Sequence, residues 1–205
     1  MPGWSRHTGI AVALPLENVD TDQLIPARFM STPRAEGYGR YLLHDLRRDG
    51  AGALRSDLAL NRVAGASVLV ARRNFGSGSS REAAVFALVD AGFRAVIAPG
   101  FGDIFAGNAV NNGLLAAQVT AQEAEALIGA LADGGADCMV DLGAQEITLA
   151  GLRVGFALDP TRRVKLMNGW DDIDLTRSEA AAIAAFRGRR PAWTWPRDRP
   201  GGRSP

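Results

Sequence analysis

Cysteine and histidine are both scarce in this sequence. Among 205 residues there is one cysteine, Cys138, and there are two histidines, His7 and His44. A single thiol excludes a disulfide within the chain and suits a reducing compartment such as the cytoplasm. An iron–sulfur cluster needs several thiolates, and two imidazoles are too few for a histidine-rich metal site. We therefore expect this chain to hold no metal or other cofactor by itself, so that any metal chemistry comes from a partner.

A charge excess of one sign and long apolar runs are also missing. The 23 Lys and Arg residues against 22 Asp and Glu residues leave a net charge of +1, which predicts neither a nucleic-acid partner nor a membrane-surface partner. No apolar run approaches the roughly 20 residues of a membrane span, and the first residues lack the apolar core of a signal peptide. With 47% hydrophobic and 22% charged residues, the composition is typical of a soluble, cytoplasmic globular protein.

The most informative stretch joins a predicted strand to a predicted helix. Residues 66–71 form an apolar, β-branched run typical of a buried strand, and residues 81–91 carry apolar side chains at helical spacing. Glycines in the connecting loop allow positive φ and close approach of the backbone to a ligand. Ser79 and Ser80 occupy the positions where helix caps belong. The loop reads Gly76-Ser77-Gly78-Ser79-Ser80-Arg81.

This loop has the chemistry of an anion site. The unpaired N–H groups at a helix start attract anions, and the Arg81 guanidinium matches a carboxylate. The same residue types are also typical of a capped helix that follows a flexible turn and binds nothing, because glycine motifs are weak without context. No Gly-Lys-Ser/Thr follows, so it is not a Walker loop, and the third glycine of a dinucleotide fingerprint is absent.

Strand and helix patterns alternate along the chain and then give way to a run of strands. Further predicted strands are residues 8–16, 95–98, 114–119, 138–142, 146–149 and 153–156, the last three antiparallel. Further predicted helices are residues 38–48, 120–132, 159–167 and a last one from a cap at Ser178 to Phe186. One more helix is predicted to start within residues 99–105, with Asp103 in its first turn, and to end at residues 111–113. This order indicates a mixed α/β domain, and periodicity alone leaves open whether the sheet is open or barrel-like.

Longer motifs around the loop resemble a known family. They are Asn74-Phe-Gly-Ser-Gly-Ser-Ser-Arg-Glu82, residues 87–98, Asn18-Val-Asp-Thr-Asp-Gln-Leu-Ile-Pro-Ala-Arg-Phe29, Gly102-Asp-Ile-Phe105, Asn111-Asn-Gly-Leu-Leu115 and Asn168-Gly-Trp-Asp-Asp-Ile173. In this order they closely resemble the small subunits of 3-isopropylmalate dehydratase, the detached swivelling domain of the aconitase superfamily. The resemblance implies a β/β/α swivelling domain, an α/β fold with a barrel-like mixed sheet flanked by helices, over residues 1–187. A C-terminal tail rich in Pro, Arg and Trp would follow at residues 188–205.

The resemblance also implies a role for each residue of the loop. Ser79, in its alkoxide form, would be the catalytic base, whereas a simple helix cap is the alternative for that position. Ser80 and Arg81 would bind a substrate carboxylate. The backbone amides of the anion loop would come from Gly76, Ser77 and Gly78.

A second aspartate-bearing loop is implied to reach the same site. Asp22 would orient a histidine of the large subunit, a sound task for a carboxylate because it fixes the tautomer of an imidazole. Asp20 and Asp22 lack the other ligands of a calcium loop. The implied partners are that large subunit, which would carry a [4Fe–4S] cluster, and a small dicarboxylate substrate.

The segment that would recognise the variable group of the substrate departs from the family pattern. Ser31 stands where the family commonly has a basic residue, and the nearby arginines are Arg28 and Arg34. Three functions therefore remain open. The chain is a hydro-lyase small subunit for 3-isopropylmalate in leucine biosynthesis, or one for another dicarboxylate such as a citraconate or dimethylmaleate type, or a non-catalytic anion-binding module.

Overall fold

A computed structural model of the chain describes residues 2–78, 81–132 and 134–189. By its internal contacts the chain divides into a unit of residues 1–171 and a second unit of residues 172–205. Ser79, Ser80 and nearly all of the predicted tail, residues 190–205, lie outside the described residues. The predicted boundary between residues 187 and 188 therefore stays a prediction.

The first unit alternates strands with helices before ending in antiparallel strands. Its strands are β1 Arg6–Leu14, β2 Ala66–Ala71, β3 Ala95–Ala98, β4 Leu115–Gln118, β5 Ala136–Asp141, β6 Glu146–Leu149 and β7 Leu152–Gly155. Its helices are α1 Thr21–Leu24, α2 His44–Arg47, α3 Ala59–Arg62, α4 Glu82–Asp90, α5 Asp103–Asn111, α6 Ala121–Ala130 and α7 Pro160–Asn168. Short 3₁₀ turns lie at Ala27–Phe29, Arg34–Glu36 and Gly39–Tyr41. The second unit contains α8 Asp172–Ser178 and α9 Ala180–Arg189.

The described strands form one mixed sheet whose two edges approach each other. The strand order is β4-β3-β2-β1-β5-β6-β7, with parallel pairing from β4 to β1 and antiparallel pairing from β1 to β7. Gln118 at the end of edge strand β4 bridges Ala157, which follows the opposite edge strand β7. The Ala157 N–H donates to the Gln118 carbonyl at 3.0 Å. The sheet is therefore curled and barrel-like, as the resemblance implied, and helices flank it.

Successive side chains of the parallel strands point to opposite faces of the sheet, where they join two separate apolar layers. On β2, Val68 and Val70 join the layer inside the curl, which also includes residues of β5 and β6, while Leu69 and Ala71 face the layer under α1, α4 and α5. All four side chains are fully buried. Buried parallel strands carry apolar residues on both faces, which explains why β2 and β3 match their predicted bounds of 66–71 and 95–98.

Two predicted helices were wrong in extent. Residues 38–48 do not form one helix, since Leu43 takes a left-handed conformation with φ +50° between a 3₁₀ turn and α2. Leu42 and Leu43 are both fully buried, and the left-handed turn brings both inside. Ser178 is the last residue of α8 rather than the cap of a final helix, and α8 itself was not predicted. The Thr120–Glu123 capping box of α6 is confirmed.

A close contact between Gly76 and the Phe105 ring holds the loop after β2 against α5. Gly76 has φ +71°, and a Cβ at this position would lie 2.2 Å from the ring. Phe105 is only 3% exposed and packs against Phe75 with ring centroids 5.5 Å apart. The ring is held in the core and has little room to retreat, so a side chain at residue 76 would force the loop and α5 apart.

We expect Gly76→Ala to lower the free energy of unfolding by about 2–4 kcal/mol, because it combines an unfavourable positive φ with overpacking. Gly129→Ala is the matched control, since Gly129 lies within α6 with open space around its Cβ position. That change should stabilise the chain by about 0.5–1 kcal/mol. Urea unfolding of the three proteins measures both effects, and equal stability of Gly76→Ala and the unmodified chain would contradict the packing.

Cys138 lies on β5 in the layer inside the curled sheet and is 1% exposed. Burial raises the pKa of its thiol to about 12, so the thiolate fraction near pH 8 is about one in ten thousand. We expect Ellman's reagent to leave the folded chain unmodified over hours and to label one thiol per chain in guanidinium chloride. Rapid labelling of the folded chain would mean that the inner layer opens readily.

Candidate active site

The loop after β2 lies between the segments that follow its two parallel neighbours, β1 and β3. Because parallel strands place their carboxyl ends at the same edge of a sheet, the three connections meet there. The Gly76 N–H donates to the Val19 carbonyl at 2.7 Å, and the Thr21 N–H donates to the Ser77 carbonyl at 3.0 Å. Backbone hydrogen bonds therefore fix the loop on the β1 side.

The segment after β3 holds the other side of the loop. The Phe75 N–H donates to the Gly100 carbonyl at 3.0 Å, and the Gly102 N–H donates to the Phe75 carbonyl at 2.9 Å. A Cβ on Gly102 would lie 2.5 Å from the Gly76 carbonyl oxygen, so only glycine permits this approach. The start of α5 is thereby brought next to the loop.

A cleft of about 240 Å³ opens between these segments. The loop contributes Gly76, Ser77, Gly78 and Arg81, and the neighbouring segments contribute Thr21, Gly102, Asp103, Ile104 and Phe105. Gly78 has φ +90°, a conformation that glycine adopts readily. A larger depression of about 430 Å³ beside α5 and α7 contains none of the predicted site residues.

Helix α4 begins beside this cleft, at Glu82. Its N-cap is Arg81, whose side chain makes no capping hydrogen bond. The prediction that Ser79 and Ser80 occupy the cap position was therefore wrong, because the helix begins one residue later than predicted and its cap is Arg81. The two serines themselves lie outside the described residues. The Glu82 carboxylate in the first turn accepts a hydrogen bond from the Asn112 amide at 2.9 Å.

Arg81 and Asp22 form an ion pair at the edge of the cleft. The Arg81 side chain is 23% exposed and donates through Nη1 to Oδ1 of Asp22, which is 53% exposed. Asp22 lies on α1, whose first turn is closed by a capping box between Asp20 and Gln23. The structure therefore brings together two of the predicted site residues from loops that are 59 positions apart in sequence.

Arg28 and Ser31 belong to a separate polar cluster. Arg28 donates to the Asp45 carboxylate, and its guanidinium lies 4.5 Å from the centre of the Phe29 ring. The hydrogen bonds from Arg28 and then His44 lower the pKa of Asp45 to about 2. The Ser31 hydroxyl is exposed and donates to the Arg28 carbonyl at 3.5 Å. None of these residues lines the cleft beside Arg81.

Arg34 is paired at the far end of α4. Its guanidinium donates to both oxygens of Asp90, at 2.7 and 2.9 Å, and Asp90 also accepts the Tyr38 N–H at 2.7 Å. Asp90 is the last residue of α4, whereas the cleft lies at the first turn of that helix. Arg34 thus holds the segment before α2 against α4, at the opposite end of the helix from Arg81.

Sequence reasoning missed the contribution of α5 to the cleft. It predicted a helix start at Asp103 but assigned no site role to Asp103 or Ile104, although Ile104 is 56% exposed. The signal was present in Gly102, which precedes a helix directly after a parallel strand. The start of α5 becomes a wall of the cleft only because β3, the strand before it, lies next to β2 in the sheet.

Metal-ligating clusters and membrane-spanning helices are both absent from the described residues. In that part of the chain, no group of three or more His, Cys, Asp or Glu side chains could hold a metal ion. Among its helices, none has the length and apolarity to cross a membrane.

The fold is similar to that of a solved protein. It matches the crystal structure of 3-isopropylmalate dehydratase from Methanocaldococcus jannaschii with a TM-score of 0.65, covering 88% of this chain and 99% of that chain at 24% identity. At this identity the likeness establishes the fold alone, and it confirms the predicted α/β class with a mixed, curled sheet.

Sequence comparison extends the likeness to nearly the whole chain. Residues 1–122 match the model of the aconitase C-terminal domain family. The 3-isopropylmalate dehydratase small subunits of Shewanella oneidensis and of Shewanella sp. strain ANA-3 are each 44% identical over 199 residues, covering 94% of this chain and 99% of each relative. This chain therefore belongs to the family of 3-isopropylmalate dehydratase small subunits, within the aconitase C-terminal domain family.

Proposed function

We propose that this chain is the small subunit of a two-subunit hydro-lyase that interconverts 2-isopropylmalate and 3-isopropylmalate in leucine biosynthesis. The observation that carries the proposal is the 44% identity to curated 3-isopropylmalate dehydratase small subunits over 94% of the chain. The cleft beside Arg81 supports the proposal, because a guanidinium within reach of solvent suits a carboxylate ligand.

The reaction removes water from one malate and adds it back in the opposite sense. In the first half, a base takes a proton from a carbon next to a carboxylate, hydroxide leaves the neighbouring carbon, and a C=C bond forms. In the second half, water adds across that bond in the opposite sense, so that the hydroxyl and the proton each bond to the other carbon. The chemistry demands a base and a set of donors for the carboxylate beside the developing carbanion.

Ser79 is our candidate for the base and Arg81 for the carboxylate-binding group. A serine alkoxide is costly in water and needs hydrogen-bond donors and positive charge close by. The positive charge comes from Arg81, two residues later, and Ser77 and Gly78 line the cleft beside it, whereas the Gly76 N–H is already bonded to the Val19 carbonyl. In this proposal Ser80 adds donors for the same carboxylate, and the positive φ of Gly76 and Gly78 supports the tight loop.

Asp22 would complete the site together with the partner. One of its oxygens meets Arg81, and its 53% exposed side chain leaves the carboxylate accessible to a group on another chain. By the family resemblance that group is a histidine of the large subunit. The large subunit is also expected to carry the [4Fe–4S] cluster, which would supply the Lewis acid that loss of hydroxide requires.

A second candidate function is the same reaction on another dicarboxylate. Ser31 replaces the basic residue common at its position, and both neighbouring arginines are already engaged by carboxylates, Arg28 by Asp45 and Arg34 by Asp90. By the family resemblance, the recognition segment thus offers a hydroxyl at a position where a cation is common. A citraconate- or dimethylmaleate-type acid is therefore the alternative substrate to test.

We expect Ser79→Ala to lower kcat of the reconstituted two-subunit enzyme by about 100-fold or more, since a general base contributes at least that much. Thermal unfolding of the variant chain should be nearly unchanged. Ser56→Ala is the matched control, because Ser56 is an exposed serine in a turn that does not line the cleft. A kcat within about threefold of the unmodified enzyme would remove Ser79 from the mechanism.

We expect the purified chain alone to be colourless and inactive, and to turn over substrate only with a cluster-bearing large subunit. The absorbance of the alkene, measured with 2-isopropylmalate, citraconate or dimethylmaleate as the substrate, decides between the two candidate functions. Turnover of 2-isopropylmalate supports the first candidate, and turnover of another acid alone supports the second. Iron–sulfur absorbance of the isolated chain, or no turnover of any acid with the partner present, would contradict the proposal.

A further inference from the structure

The Arg81–Asp22 ion pair stands between two concave surfaces of the first unit. Arg81 lines the cleft of about 240 Å³ that contains the anion loop. Asp22 lines a neighbouring groove of about 320 Å³ together with Leu16, Asp20, Gln23, Asp45 and Leu46. Each member of the pair therefore borders a different one of these two surfaces.

Both members of the pair are held in place by their backbones. Asp22 lies in α1, where the Asp20 carboxylate accepts the Gln23 N–H at 2.7 Å and the Gln23 amide oxygen accepts the Asp20 N–H at 3.0 Å. The Thr21 N–H donates to the Ser77 carbonyl at 3.0 Å, which ties α1 to the anion loop. Arg81 is fixed as the N-cap of α4. The fold therefore places the Asp22 and Arg81 side chains next to each other.

The Arg81–Asp22 pair changes the balance of charge that a ligand meets in the cleft. Arg81 is the cation among the described lining residues, and Asp103 lines the same cleft with a carboxylate. With the Asp22 carboxylate on Arg81 as well, two negative groups accompany one positive group. A substrate carboxylate arriving at Arg81 meets a guanidinium that already has a carboxylate partner, and it is repelled by that partner.

We propose that Asp22 is a positioning residue that occupies Arg81 in the isolated subunit and competes with an incoming carboxylate for it. Resting on the proposed function, we further assign the groove as the side from which the large subunit engages Asp22. Engagement of that carboxylate from the groove frees Arg81 for the substrate, so that the cleft binds a carboxylate more tightly in the assembled enzyme than in the isolated subunit. Binding of the partner and binding of the substrate are then coupled through one side chain.

Malonate binding to the isolated chain, measured by calorimetry at about 0.15 M ionic strength, tests the competition directly. We expect Asp22→Asn to bind malonate about fivefold or more tightly than the unmodified chain, because the competing charge is gone. Arg81→Gln should abolish binding, and the double variant Asp22→Asn/Arg81→Gln should show no gain. Glu17→Gln is the matched control, since it removes one carboxylate from the exposed Arg73–Glu17 pair, and its effect should be under about twofold.

Whether Asp22→Asn raises or lowers the affinity for malonate distinguishes a competing Asp22 from a merely structural one. A structural Asp22 would make Asp22→Asn bind malonate more weakly, whereas a competing Asp22 makes it bind more tightly. Unchanged or weaker binding in Asp22→Asn, or no detectable binding in both proteins, overturns the inference. Turnover by the unmodified chain with its large subunit is a separate readout, so that no turnover there together with tighter malonate binding by Asp22→Asn would count against the proposed function alone.

Discussion

Backbone hydrogen bonds among three connections at one edge of the sheet support everything else in the candidate site. The segments after β1, β2 and β3 meet there because those strands run parallel, and Gly76 and Phe75 supply the N–H groups that join them. Polar backbone groups withdrawn from water need such partners. The contact is close because Gly76 and Gly102 have no side chains, and this closeness creates the cleft wall formed by α5.

Three arginines near the recognition segments are each paired with a carboxylate, and the pairs have different consequences. Arg28 with Asp45 and Arg34 with Asp90 fix the segment between α1 and α2, at positions away from the cleft. Arg81 lines the cleft and meets Asp22 at its edge. The first two pairs organise the surface that surrounds the site, while the third governs the charge that a dicarboxylate would meet. This arrangement suits a subunit whose active site is completed by a partner.

Much of the fold could be predicted from local signals. Continuous apolar β-branched runs marked β2 and β3 to the residue, and the Thr120–Glu123 capping box marked the start of α6. Predictions went wrong where tertiary packing overrode local preference. Leu43 adopts a left-handed conformation so that two consecutive leucines are both buried, and no single-helix pattern over residues 38–48 anticipates this.

The sequence by itself determined the family and the chemistry-bearing residue types, because ordered motifs along the chain are local and specific. It also predicted the positive φ of the loop after β2, since Gly76 and Gly78 adopt that conformation readily. Only the tertiary structure decided that Asp22 meets Arg81, that α5 closes the cleft, and that Arg34 is engaged at the other end of α4. Those facts depend on which strands are neighbours and on how the sheet curls, and such long-range pairing leaves no local trace in the order of residues.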